Sequence, residues 1–226
     1  MSPVRRVVPA ILTDNAADLE RMVRQAEEFA PWVQFDIMDG LFVPSKSIFG
    51  AEIAAAKPGF KHDVHLMAYH PESYFADFRL AGARRLTIHY EASYQAAGWA
   101  AYIKGLGLEA GLALNPETPA EDVTAELAAH VDALLLLSVN PGYYGRPFIP
   151  DVLEKAKELR RVYPKLTIGI DGGIKAQNIA DVARAGVDEI CVGSAVFGAP
   201  APAIAYRELL ALAEQGWREY DCGQTG

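Results

Sequence analysis

Eight times along this chain a short β-type run gives way to a stretch with helical patterning, and that alternation constrains the fold more than any other feature. The runs are Arg6–Leu12, Trp32–Met38, Lys61–Met67, Arg85–Tyr90, Glu109–Leu114, Ala133–Val139, Leu166–Asp171 and Glu189–Gly193. The helical patterns cover Ala16–Phe29, Ala51–Ala56, Pro71–Ala81, Tyr94–Lys104, Pro119–Ala128, Pro150–Val162, Ala176–Ala185 and Ala203–Gln215. Strands separated by helices of this length pair in parallel through right-handed crossovers. Eight such units in 226 residues favour closure into a (β/α)8 barrel, a fold of about 250 residues, over an open sheet. Local punctuation agrees: Asp14 or Asn15 can cap the first helix, Pro71 and Pro119 suit first turns, and Gly82, Gly107 and Gly186 suit exits. No Ser-rich or charged linker divides the chain, so one barrel domain is expected over 1–221, with a frayed tail over 222–226.

Composition narrows the class. With 51% hydrophobic residues the chain can fill a core, and its net charge of −8, from 21 basic and 29 acidic residues, argues against a nucleic-acid surface. An anionic ligand would have to be held by local dipoles rather than by a global positive field. Two cysteines, Cys191 in an apolar run and Cys222 near the end, exclude a disulfide framework and suit a reducing compartment. Met1 to Arg6 carries no signal-peptide pattern, and no apolar run reaches the ~18 residues of a membrane span. The expectation is a soluble, cytoplasmic protein with no membrane partner.

Two carboxylates carry the chemistry. Asp36, in Val33-Gln34-Phe35-Asp36-Ile37-Met38-Asp39-Gly40, and Asp171, in Ile168-Gly169-Ile170-Asp171-Gly172-Gly173, each end an apolar run just before a glycine-containing turn. In a parallel barrel both fall at the carboxyl rim, where such folds keep their active residues. Facing carboxylates can take a proton from one side of a carbon and return one to the other; a single Asp could equally cap a helix or brace a turn. Strand alternation puts Gln34, Asp36 and Met38 on one face and Asp63, His65 and Met67 on another. His65 then joins Asp36 and Asp171 in a donor set suited to zinc, iron or manganese. Glycine-bearing loops follow the last three strands: Asn140-Pro141-Gly142-Tyr143-Tyr144-Gly145, Asp171-Gly172-Gly173 and Gly193-Ser194-Ala195. The last two are placed where barrels bind phosphate. The first, long and aromatic, could fold over a ligand.

These residues resemble the ribulose-phosphate 3-epimerase family. The resemblance rests on Phe35-Asp36-Ile37-Met38-Asp39-Gly40, Phe42-Val43-Pro44, Asp63-Val64-His65-Leu66-Met67, His89-Tyr90-Glu91-Ala92, Ala113 to Pro119, Ser138-Val139-Asn140-Pro141-Gly142, Pro147-Phe148-Ile149-Pro150 and Asp171-Gly172-Gly173-Ile174, in family order across nearly the whole chain. It implies a barrel of the ribulose-phosphate-binding type that inverts the carbon beside a ketose-phosphate carbonyl, with one Asp removing a proton, the opposite Asp returning one, and a divalent metal holding the enediolate oxygens. It assigns Asp36 and Asp171 as acid/base pair, and Asp36, His65 and Asp171 as metal ligands. Met38, Met67, Gly142, Tyr143, Tyr144, Gly145, Gly172, Gly173, Gly193 and Ser194 fall on substrate- or phosphate-contacting positions. It further implies a homo-oligomer.

Three departures fall near the mouth. Gln34 stands where the family usually has His, Ala10 where it has Ser, and Ser45 where it has Asn. Gln34 becomes a weak or absent fourth metal donor, since a neutral amide is a poorer zinc ligand than imidazole. The favoured reading is an epimerase acting on ribulose 5-phosphate, xylulose 5-phosphate or a related keto-sugar phosphate, with a weakly held metal. The rivals are a diverged phosphosugar isomerase or lyase working without tight metal, and a non-catalytic phosphosugar-binding paralogue.

Overall fold

The computed structural model describes residues 4–92, 95–142 and 146–224. Tyr143, Tyr144 and Gly145, expected to contact substrate, lie outside the described residues. Eight parallel strands close into a barrel in sequence order: β1 (Arg6–Ile11), β2 (Trp32–Met38), β3 (Lys61–Met67), β4 (Arg85–His89), β5 (Glu109–Leu114), β6 (Ala133–Leu137), β7 (Thr167–Asp171) and β8 (Glu189–Val192). Around them run α1 (Ala16–Glu27), α2 (Gly50–Ala56), α3 (Phe75–Leu80), α4 (Ala96–Gly105), α5 (Ala125–His130), α6 (Val152–Val162) and α7 (Ile179–Arg184), and after β8 come α8 (Ser194–Phe197) and α9 (Pro202–Gln224).

The helices form where the pattern places them because each has one apolar stripe. In α1 the buried residues are Leu19, Met22, Val23 and Ala26, one face of a 3.6-residue period. Its start is fixed by Asn15, whose Oδ1 accepts from the N–H groups of Ala17 and Asp18. Two expected helices are broken. Pro71–Tyr74 is a 3-10 turn before α3, with Pro71 at a first-turn position where its missing N–H costs no bond. Ala120–Asp122 is likewise a 3-10 turn, and Thr124 restarts the chain as α5 by accepting from the Leu127 N–H. At the other end α9 runs on through Cys222 to Gln224, so the expected tail is helical that far. Asp221 on it takes a bidentate pair from Arg5.

Packing occurs in two shells. The larger fills the space between strands and helices and includes Phe35, Phe75, Phe78, Leu66 and Ile88, each wholly buried; burying one such side chain stabilises by about 1.5–3 kcal/mol. The smaller plugs the lumen with Val8, Ala10, Trp32, Ala113, Leu135, Leu137 and Cys191. Strand register stacks polar residues above and below that plug. At the amino-terminal end Asp63 lies opposite Arg85, and Arg6 opposite Glu189. At the carboxyl end Asp36 lies opposite His65, and Asp171 opposite Cys191.

Candidate active site at the carboxyl rim

The turn after β7 shows how the backbone opens this rim. Gly172 and Gly173 have φ of +115° and +65°, angles that an L side chain resists. A Cβ on Gly172 would come 2.5 Å from a Val139 methyl, and one on Gly173 2.7 Å from the Phe148 backbone nitrogen. The pair lets β7 end abruptly with Asp171 at the cavity.

Three of the expected ligands converge. Donor atoms of Asp36, His65 and Asp171 all lie within 4.8 Å of one another. Above them opens a cavity lined by Asp36, His65, Met38, Met67, Asp171, Gly142, Gly172, Gly173, Gly193 and Ser194, so every described residue expected there except Gln34 forms its wall. Gln34 lies one layer deeper. Its Nε2 donates to Asp36 Oδ1 at 2.8 Å and to Asp171 Oδ2 at 2.7 Å, while its Oε1 accepts from the Cys191 thiol at 3.2 Å. That assignment of the amide follows from its partners, since carboxylates can only accept. Ala10 lines the same cavity, and Ser45 donates to the Gly142 carbonyl at 2.7 Å, tying the loop after β2 to the loop after β6.

The electrostatics follow from burial and like charge. Burial, then the nearby Asp171 carboxylate, raises the Asp36 pKa to about 6. Burial alone would drive protons off His65, but its bonds to Asp171 and Asp36 outweigh that and raise it to about 9. His65 Nδ1 is 3.0 Å from Asp36 Oδ1 and 3.6 Å from Asp171 Oδ2. Cys191, buried among these acids, is pushed well up and is a thiol.

Sequence reasoning missed the groups behind His65. Its Nε2 meets His89 Nε2 at 2.9 Å, and His89 Nδ1 meets Glu91 Oε2 at 3.0 Å. Burial takes His89 down to about 4 despite Glu91. Glu91 falls to about 2 because bonds from His89, Thr118 and the Asn115 N–H overcome its burial. The signal available was alternation: His89 shares the inward face of β4 with Arg85 and Thr87. Also unforeseen were two cations at the mouth, Arg146 and Lys175, which add local positive charge to an acidic protein.

The fold and this mouth define a (β/α)8 barrel with an acid-lined centre beneath glycine-rich loops. Two solved structures share the fold. 3-Hexulose-6-phosphate synthase aligns with a TM-score of 0.70 at 18% identity, over 92% of this chain and 99% of that one. KGPDC from Streptococcus mutans in complex with D-R5P aligns with a TM-score of 0.76 at 12% identity, over 93% and 98%. Sequence is more specific. Residues 6–197 match the model of the Ribulose-phosphate 3 epimerase family. The ribulose-phosphate 3-epimerase of Synechocystis sp. is 40% identical over 203 residues, 86% of this chain and 88% of that protein. The Mycobacterium bovis ribulose-phosphate 3-epimerase is 39% identical over 211 residues, 90% of each. The chain belongs to the ribulose-phosphate 3-epimerase family.

Proposed function

We propose that the protein is a sugar-phosphate 3-epimerase that interconverts ribulose 5-phosphate and xylulose 5-phosphate. Family membership supports the reaction class, and one observation carries the assignment of residues: carboxylates from β2 and β7 meet across the lumen directly beneath a cavity large enough to admit a small ligand. In one direction the Asp36 carboxylate takes the proton from the carbon beside the ketose carbonyl, leaving an enediolate. A protonated Asp171 gives a proton to the opposite face, and the two residues exchange protonation states. The reverse reaction uses them in opposite order. An Asp36 pKa of about 6 suits a group that must hold and release a proton near neutrality. Met38 and Met67, with Val43 against them, form an apolar lip that keeps water from the reacting carbon. The sugar phosphate is held at Gly172, Gly173, Gly193 and Ser194, with Arg146 and Lys175 at the mouth adding positive charge.

The donor set fits a divalent cation, because two carboxylate oxygens and an imidazole nitrogen within 4.8 Å are borderline-to-hard ligands of zinc, iron or manganese type. A cation there would supply positive charge opposite the developing enediolate. Gln34 supports weak rather than tight retention: its N–H groups bridge the two carboxylates, so it takes up lone pairs of oxygens that would ligate and adds no donor of its own. Gln34→His should therefore raise zinc affinity, measured by chelator competition. Chelator-resistant zinc in the unaltered protein would rule out weak retention. No described helix is long and apolar enough to cross a membrane, and we place the enzyme in the cytoplasm.

The deciding experiment incubates the purified protein with ribulose 5-phosphate in heavy water, with and without added divalent metal. Formation of xylulose 5-phosphate with deuterium at C3 is expected. Neither epimer nor exchange under any metal condition would sink the reading. Ser194→Asp should weaken phosphorylated-ligand binding by charge repulsion with little change in stability; equal affinity for phosphorylated and unphosphorylated sugars would refute the phosphate assignment.

A further inference from the structure

We propose that Glu91 and His89 are positioning residues that, through two successive hydrogen bonds, set which ring nitrogen of His65 faces Asp36 and Asp171. The proposal rests on the cation-binding reading above and adds two residues to it.

The argument starts at the far end of the chain of bonds. Glu91 Oε1 accepts from the Asn115 backbone N–H at 2.8 Å and from the Thr118 hydroxyl, and Oε2 faces His89 Nδ1 at 3.0 Å. An ionised carboxylate can only accept, and the two established donors to Glu91 both sit on Oε1, so the His89 Nδ1 that faces Oε2 must carry a proton. His89 Nε2 lies 2.9 Å from His65 Nε2, and exactly one proton can occupy that contact. Both rings are buried, but a second proton on His89 would have one carboxylate, Glu91, beside it, whereas His65 has two to hold charge. The shared proton therefore belongs to His65 Nε2, and His89 accepts it. What remains is His65 Nδ1, aimed at Asp36 Oδ1 and Asp171 Oδ2. With a cation present, that nitrogen is a lone pair ready to ligate. Metal-bound histidines commonly need such an acceptor behind them to fix tautomer and orientation. Here that acceptor is itself a histidine, so its own tautomer has to be dictated one step further back.

Glu91→Gln tests this with almost no change in shape. The Asn115 N–H can only donate, so the glutamine oxygen must stay on that side and its NH2 must face His89. His89 Nδ1 would then accept, its Nε2 would carry the proton, and His65 would be left with its proton on Nδ1. Zinc affinity, read by chelator competition, should fall by about 10–100-fold, with the melting temperature of the metal-free protein nearly unchanged. Thr118→Val, which removes one donor but keeps the carboxylate, should lose far less. His89→Gln, which can still offer an oxygen to His65, should retain more affinity than His89→Phe. Long-range proton–nitrogen NMR of the zinc-loaded wild type should show His65 protonated at Nε2 and ligating through Nδ1. Unchanged zinc affinity in Glu91→Gln overturns the proposal, as does ligation through Nε2 or a wild type that binds no zinc. Because the readouts are affinity and nitrogen assignment, a protein that passes them yet turns over no sugar phosphate would sink the epimerase reading and leave this one standing.

Discussion

Two buried polar clusters lie one above the other in this barrel, and only the lower one balances its charges. At the floor Arg85 donates to both Asp63 and Glu189, and Arg6 donates to Glu189 while its guanidinium stacks 3.8 Å over Trp32. Two cations meet two anions. At the rim two carboxylates face one imidazole and a neutral amide, so even a protonated His65 leaves one negative charge uncompensated. Both clusters pay the desolvation cost of burial. The floor recovers it within the chain and is structural; the rim recovers it fully only when something positive arrives. Buried charge by itself therefore does not mark a site, whereas buried charge left out of balance beside a cavity does.

Breaking the floor should have the largest effect. Arg85→Met leaves Asp63 and Glu189 buried without their shared partner, and stability should fall by about 3–5 kcal/mol in urea unfolding. A loss under about 1 kcal/mol would mean that the floor is not what separates the clusters. At the rim the outcome reverses. Asp36→Asn or Asp171→Asn should cut kcat by at least ~10²-fold, equivalent to about 2.7 kcal/mol of barrier, while leaving stability unchanged or higher because like charges no longer face each other. Near wild-type turnover in either variant removes that residue from the mechanism.

Acid separates the rim from the barrel wall. His62 points outward from β3 against the edge of Phe35, ring centroids 5.2 Å apart, and neither ring nitrogen has a side-chain hydrogen-bond partner among the described residues; a contact with the Phe60 backbone only partly offsets its burial. Burial lowers its pKa from 6.5 to about 4. The unfolded chain binds the proton first, so this group's contribution is intact above pH 6.5 and is lost as pH falls from 6.5 to 4. At pH 5 the loss should be about 2 kcal/mol. Asp36 acts in the opposite sense: its folded pKa of about 6 is above the ordinary 3.8, so acidifying the metal-free protein through that range favours the folded state. His62→Phe should remove its share of the acid limb of a stability–pH curve, leaving the share of His89, which burial also lowers to about 4, and an unchanged limb would exclude His62. The smallest effect is expected at Ser45, whose one hydroxyl bond joins two rim loops. Ser45→Ala should cost about 1 kcal/mol and register as a modest rise in KM.

Much of the rim was legible because its residues announce themselves within single strands. Asp36 and His65 each fall two residues before the end of a strand, and Asp171 precedes a double glycine that only a sharp turn requires. The floor was not legible, since the pairing of Arg85 with Asp63 and of Arg6 with Glu189 depends on cross-strand register that no single strand encodes. Glu91 escaped for a related reason: it lies past the end of β4 in the 3-10 turn Tyr90–Ala92, where the period of 2 stops predicting direction, whereas alternation along β4 did point His89 inward. Cys191 reads as one more apolar strand residue, and only closure shows its thiol holding the Gln34 amide. The 3-10 turns before α3 and α5 are local departures that helical periodicity averages over, and the second is marked by Thr124, which caps α5.

The pairing of β1 with β8 has a consequence for the order of assembly. The first strand finds its second neighbour only across Arg6–Glu189 to Pro9–Val192, so until β8 docks the sheet has two open edges, each a template for intermolecular pairing. Asp36 and His65 are neighbours on adjoining strands from early on, but Asp171 reaches Gln34, 137 positions away in the chain, only when the sheet has curled shut. A divalent ion would thus meet two ligands on the open intermediate and three on the closed barrel. By mass action it would pull the equilibrium toward closure and shorten the time during which those edges are exposed to other chains.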